Sequence, residues 1–200
     1  MGSVAGVVLA AGTSSRLGQP KQLLKYGGRS LVRRAAEVGL AAGLTPMVVV
    51  TGAHAAAVER ELREMPVRLV HNDAYRAGQS TSVRAGVSAL PPDAKAVVML
   101  LVDMPAVDED VVRALIAAWQ ATGAPLVRPT FDGRPGNPVL FDASLFPEML
   151  ALEGDEGGRP ILQRHAERVH LVPTTQPGVL VDVDTWDAYT QLLAGHSRAE

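Results

Sequence analysis

Seven consecutive apolar residues, Ala96-Val-Val-Met-Leu-Leu-Val102, end abruptly at Asp103, and no other stretch constrains the chain as strongly. A run this short, without polar alternation, reads as a strand buried on both faces. Such strands belong to parallel sheets covered by helices on either side. The surrounding sequence agrees. Strand-like runs at 4–9, 47–51 and 67–70 alternate with helix-like runs at 31–42, 54–65 and from Ser80 or Thr81 to Leu90. Ser30 stands where a helix cap is needed, and Gly43 and Pro91-Pro92-Asp93 stand where helices must stop. The expected architecture is α/β: a three-layer, Rossmann-like, mostly parallel sheet with helices on both faces.

Beyond Gly123 the pattern changes. Residues 126–129 and 138–141 read as strands joined through Asp132-Gly133 and Pro135-Gly136, a hairpin-like junction that predicts a small antiparallel addition. A helix over 143–152, a glycine-rich acidic loop over 153–159 and a short helix over 160–165 follow. Strands are expected at 169–172 and 179–181, then a last helix over 185–193 and a frayed tail over 196–200. One domain is expected over 1–200, in two halves, 1–122 and 123–200.

Composition removes several functions. No apolar run approaches the ~20 residues of a membrane helix, so no membrane partner is expected. A net charge of −2 and 4% aromatics leave neither a basic stripe nor a stacking platform, so no nucleic acid is expected. The absence of cysteine excludes disulfides, thiolate metal sites and cysteine nucleophiles. With no signal-type leader, it fits a cytoplasmic location. Histidines 54, 71, 165, 170 and 196 are scattered without metal-ligand spacing. Gly78-Gln-Ser-Thr-Ser82 misses the nucleophile elbow because its fifth residue is serine.

The chemistry concentrates behind the first strand. Leu9-Ala-Ala-Gly-Thr-Ser-Ser-Arg-Leu-Gly-Gln-Pro-Lys21 is rich in glycine and hydroxyls and presents Arg16 and Lys21. Glycine lets backbone approach a ligand, successive amides make an anion-binding concavity, and the two cations suit a polyphosphate. Through residue 36 the chain has six basic residues and no acidic one. The loop is neither a Walker P-loop, since Gly18 is followed by Gln19, nor the G-x-G-x-x-G fingerprint, since residue 14 is serine. Asp103 ends the core strand at the sheet edge where open α/β folds bind ligands. Mg²⁺ favours one or two carboxylates completed by substrate phosphates, so Asp103 is a candidate metal ligand, or alternatively an Asx turn before Met104-Pro105. Asp108, Glu109 and Asp110 read as the cap and acidic first turn of a helix. Asp184 reads as a helix N-cap candidate, with Asp187 three residues later.

The first loop resembles the signature of the molybdenum-cofactor nucleotidyltransferases, especially their cytidylyltransferase branch. The resemblance recurs, in the same order, at Gly78-Gln-Ser-Thr-Ser-Val-Arg-Ala-Gly86, Asp103-Met-Pro105, Gly133-Arg-Pro-Gly-Asn-Pro-Val-Leu-Phe141, Gly154-Asp-Glu-Gly-Gly-Arg159 and Asp182-Val-Asp-Thr185. It implies transfer of a nucleoside monophosphate from CTP or GTP to the phosphate of molybdopterin or its molybdenum-loaded form, with release of pyrophosphate. Arg16, Lys21 and Asp103 are then catalytic, and Asp103 and Asp184 hold Mg²⁺. Leu9, Ala10, Ala11, Gly12, Ser80 and Ser82 bind the nucleotide, while Arg134, Asn137, Asp155 and Arg159 bind the acceptor. A molybdoenzyme that receives the product is the implied protein partner. Ala11 favours CTP, because guanylyl members read Leu-Ala-Gly-Gly and a side chain there narrows the base pocket. Gly136-Asn137-Pro138 departs from the family's Gly-His-Pro, which removes any role that needs imidazole. The competing expectations are a sugar or polyol phosphate as acceptor, a non-catalytic cofactor carrier, and an oxidoreductase.

Overall fold

The computed structural model describes residues 3–14 and 17–196. The first half builds four parallel strands. β1 (Val4–Leu9) leads through a two-stranded ribbon, β2 (Lys25–Tyr26) and β3 (Arg29–Ser30), into α1 (Leu31–Ala41). Then come β4 (Met47–Thr51), α2 (Ala55–Leu62), β5 (Arg68–His71), α3 (Gln79–Ser88) and β6 (Ala96–Leu101). β1 lies between β4 and β6, with Val7 opposite Val48 on one side and Met99 on the other. β1, β4 and β6 are buried along almost their whole length because each has a strand neighbour on both sides and helices above and below, whereas β5 is the largely exposed edge strand.

The second half adds α4 (Glu109–Thr122), β7 (Leu126–Phe131), β8 (Arg134–Pro135), β9 (Val139–Asp142), α5 (Phe146–Leu150), α6 (Arg159–Arg164), β10 (Val169–Pro173) and α7 (Trp186–His196). The eight-stranded sheet runs β10-β7-β9-β6-β1-β4-β5, with β8 on the side of β7. β9 is antiparallel to both β6 and β7, so it joins the two halves into one sheet. The antiparallel addition is thus a wedge inside the sheet. The tight hairpin is the smaller β7–β8 turn, where Asp132 and Gly133 both take positive φ.

Alternation along the strands sorts the core into two layers. Val8, Val49 and Val98 pack with residues of α1, α2 and α4 on one face. Val7, Val50, Val97 and Phe141 pack with α3, α5 and α6 on the other. Full burial of side chains of this size contributes about 1.5–3 kcal/mol each. These two layers, rather than the loops, therefore hold the carboxyl edge of the sheet in place.

Several local expectations change. Residues 177–180 form a 3-10 turn rather than a strand, because Pro177 and the close backbone approach of Gly178 to Ala106 leave no ladder to join. The 143–152 helix is interrupted: a 3-10 turn capped by Asp142 precedes α5. Ser80 and Thr81 do not cap α3, which starts one residue earlier at Gln79. Asp108 does cap α4, accepting from the Val111 amide at 3.1 Å. Of the expected tail, His196 ends α7 and residues 197–200 lie outside the described residues. No helix among the described residues is long and apolar enough to cross a membrane.

Gly78 fastens α3 to the 153–159 loop. Its φ is +112°, and a Cβ there would lie 2.3 Å from the Gly154 carbonyl oxygen. Both the backbone conformation and the contact demand glycine. Gly78→Ala is expected to lower the free energy of unfolding by about 1–3 kcal/mol, measured by urea denaturation; an unchanged midpoint and slope would contradict this packing.

Candidate active site

Ala10 continues from β1 and donates to the Val50 carbonyl at 2.9 Å, after which the chain leaves the sheet. Gln22, almost fully buried, then organises the loop. Its Nε2 donates to the Ala10 carbonyl at 3.1 Å and the Gly12 carbonyl at 2.7 Å, and its Oε1 accepts from the Ser14 hydroxyl at 3.3 Å. Ser14 in turn accepts from the Lys21 amide at 3.0 Å. With its carbonyls drawn inward, the loop makes no hydrogen bond from the Gly12 and Thr13 amides among the described residues. Those donors suit a polar ligand.

Lys21 opens the 3-10 turn Lys21–Leu23 and points at the carboxyl edge of the sheet. Its Nζ lies 2.7 Å from Asp103 Oδ2 and 2.9 Å from Asp184 Oδ1, joining residues 82 and 163 positions apart. Burial works against the ammonium, but the two carboxylates outweigh it and hold the Lys21 pKa above the usual lysine range. Asp103 Oδ1 is buried and has no hydrogen-bond partner among the described residues. A buried carboxylate oxygen without a donor costs stability unless a cation or proton meets it. Two carboxylates with one such oxygen supply the hard donors that Mg²⁺ or Mn²⁺ takes beside substrate phosphates, so the residues present fit a divalent cation.

The last segment of the chain is what brings Asp184 here. The Val183 amide donates to the Asp103 carbonyl at 2.8 Å. Thr185 caps α7, accepting from the Ala188 amide at 3.2 Å, while the Asp184 carboxylate meets Lys21. Trp186 Nε1 donates to the Leu17 carbonyl at 3.1 Å, and the Tyr189 hydroxyl donates to the Lys25 carbonyl at 2.6 Å. α7 therefore clamps the N-terminal loop against the sheet.

These groups face a cleft of about 810 Å³. Leu9, Ala11, Gly12, Lys21, Asp103 and Asp184 line it together with Tyr75, Arg76, Gln79, Ser82 and Asp155. A second cavity of about 510 Å³ adjoins it, sharing Leu9, Gln79, Leu101 and Asp155 and reaching Arg128, Asn137, Phe141 and Arg159. The candidate residues distribute unevenly. Ala10 and Ser80 are buried behind the wall; the Ser80 hydroxyl donates to the Gly154 carbonyl at 2.7 Å. Asp155 also serves structure, accepting from the Gln79 amide at the start of α3 at 3.0 Å. Arg134 sits on the exposed strand β8 and lines neither cavity, because the β7–β8 hairpin carries it outward. Arg16 lies outside the described residues.

Three contributors escaped the sequence reading. Gln22 looks like any surface glutamine until the loop folds over it. Asn72 is buried and donates to Thr81 at 2.8 Å and Ser82 at 3.0 Å, tying the start of α3 to the edge of β5. Arg128 left a legible trace, a cation inside the apolar run Leu126-Val-Arg-Pro129. Its Nε and Nη2 donate to the Gly136 carbonyl at 2.9 and 2.8 Å, and burial pushes its pKa down.

Comparison with known proteins meets this geometry. Residues 6–169 match the family model described as the MobA-like NTP transferase domain. The chain is 35% identical to nicotine blue oxidoreductase of Paenarthrobacter nicotinovorans, over 95% of this chain and 96% of that one. It is 28% identical to molybdenum cofactor cytidylyltransferase of Escherichia coli strain K12, over 94% of this chain and 95% of that one. A solved structure, Rv0371C of Mycobacterium tuberculosis H37Rv in complex with manganese, superposes with a TM-score of 0.78 at 30% identity, covering 96% of this chain and 98% of that one. By its family model and by the cleft built on a parallel sheet, the chain belongs to the MobA-like NTP transferase family and is a nucleotidyltransferase.

Proposed function

We propose that the protein is a Mg²⁺-dependent cytidylyltransferase that moves CMP from CTP to the phosphate of molybdopterin or its molybdenum-loaded form. The observation that carries this reading is the Lys21 ammonium bridging Asp103 and Asp184 beside a glycine-rich loop at the carboxyl edge of β1 and β6. The similarity to a molybdenum cofactor cytidylyltransferase supports the substrate pair. Residues 1–122 hold the nucleotide on this reading, and residues 123–200 the acceptor. A cytoplasmic location and delivery to a molybdoenzyme belong to the same reading.

An oxygen of the acceptor phosphate attacks the α-phosphorus of CTP, the bond to the bridging oxygen of the β-phosphate breaks, and pyrophosphate leaves in line. No protein nucleophile is needed; positioning and charge neutralisation supply the rate. Leu9, Ala11, Gly12 and Ser82 border the nucleotide, with the Gly12 and Thr13 amides as hydrogen-bond donors. Lys21 and Arg16 neutralise the phosphates and the departing pyrophosphate. Asp103 and Asp184 would hold a divalent cation, whose chemistry is charge neutralisation and polarisation at phosphate oxygens. The Ala11 methyl stands in the cleft wall where glycine would leave more room, which favours the smaller pyrimidine.

A second reading is favoured by the 35% identity to a nicotine blue oxidoreductase. Reduction of a dye-like substrate by NADPH would then replace nucleotidyl transfer in the same cleft. The sequence offers that cofactor no G-x-G-x-x-G loop.

Pyrophosphate release with CTP or GTP, Mg²⁺ and molybdopterin, tested pairwise, separates these readings. Release with CTP and molybdopterin is expected; oxidation of NADPH without pyrophosphate would select the oxidoreductase. Asp103→Ala is expected to lower turnover by about 10²–10³ or more while the circular dichroism spectrum stays unchanged, and full activity in that variant would remove Asp103 from the mechanism. Ala11→Gly is expected to shift the ratio of kcat/KM for CTP over GTP about tenfold toward GTP; an unchanged ratio would show that residue 11 does not size the base pocket.

A further inference from the structure

Arg128 is an arginine on a sheet face whose neighbours are apolar. It projects from β7 into the second cavity beside Val139, Phe141, Met99 and Asn137. Two of its donors are spent on one neutral acceptor, the Gly136 carbonyl. A guanidinium has five N–H donors, so most remain. No carboxylate pairs with it among the described residues, and burial alone accounts for its depressed pKa. A partly buried cation with no counterion gains most from an anion brought by a ligand.

Position says which part of a ligand that anion belongs to. The reacting phosphate must meet Lys21 and Asp103 in the first cleft, which Arg128 does not line. β7 is separated from β6 by β9, a lateral displacement of about 10 Å by strand spacing. The cavity between is walled by apolar side chains around Arg128 and by polar ones, Gln79, Asp155, Glu156 and Arg159, toward the first cleft and the 153–159 loop, and at about 510 Å³ it accommodates a small ring system. We infer that Arg128 anchors a second acidic group of the acceptor, so that the acceptor class is a compact molecule bearing a reactive phosphate and, apart from it, another anionic group. This rests on the nucleotidyl-transfer reading and deepens it. It also gives Arg128 the place that sequence resemblance assigned to Arg134.

The test uses the full chain with its nucleotide site blocked by saturating Mg²⁺ and the non-reactive analogue α,β-methylene-CTP. Inorganic phosphate, at ionic strength matched with sodium chloride, then serves as the anion probe, with binding read from the rise in Tm. Wild type is expected to gain stability with phosphate. Arg128→Gln is expected to weaken the apparent phosphate affinity about tenfold or more, while Arg128→Lys retains part of the response. Unchanged binding of α,β-methylene-CTP by Arg128→Gln will show that its first cleft is intact. A wild-type phosphate response in Arg128→Gln, or no response in wild type, overturns the inference. Failure of wild type to bind α,β-methylene-CTP overturns the nucleotidyl-transfer reading itself. If Arg128→Gln does not fold, Arg128→Lys decides: a full loss of the phosphate response alongside retained analogue binding contradicts anchoring by charge.

Discussion

One ammonium group gathers the charged residues at the working edge of this molecule. Lys21 comes from the loop after the first strand, Asp103 from the end of the central strand, and Asp184 from the segment before the last helix, so the contact closes the chain on itself. Without Lys21, two carboxylates would face each other in a partly buried place, an arrangement that repels or takes up a proton. With it, three distant segments share one small volume. The same arrangement is what polyphosphate chemistry requires, since an ammonium and a carboxylate pair can exchange partners with a metal-bound phosphate at little cost in net charge.

The scaffold supplies this cluster through ordinary packing. Two apolar layers bury the sheet and fix its carboxyl edge, while polar contacts of the loops only orient what emerges there. Gln22 shapes the first loop, Asn72 seats the start of α3, and α7 clamps the loop through Trp186 and Tyr189. The antiparallel wedge β9 carries the second cavity next to the first, so an acceptor can lie along the sheet toward the reacting edge.

What was legible in the sequence follows physical range. The alternation of apolar runs identified the parallel strands and their order of appearance, because burial on both faces leaves an unbroken apolar signature in β1, β4 and β6. Asp103 and Lys21 stood out because a charge directly after a buried strand and a cation in a glycine-rich loop are locally unusual. The division of labour at Asp184 and Thr185 was not legible: both can cap a helix, and the contact of Asp184 with the distant Lys21 forms only in the fold. Residues 179–181 look like a strand by composition, but a strand exists only where a neighbour offers a ladder, and the close packing of Gly178 on Ala106 denies one. Arg134 and Arg128 show the same limit. Which arginine faces the cavity depends on strand register, and a two-residue hairpin turns Arg134 outward.

A crystal structure with CTP and Mn²⁺, phased on the manganese anomalous signal, addresses the central claim most directly. The account predicts a manganese peak against the Asp103 and Asp184 carboxylates, with the triphosphate along the first loop and Lys21 Nζ on a phosphate oxygen. Nucleotide bound elsewhere, with Lys21 still bridging the two carboxylates, would contradict it.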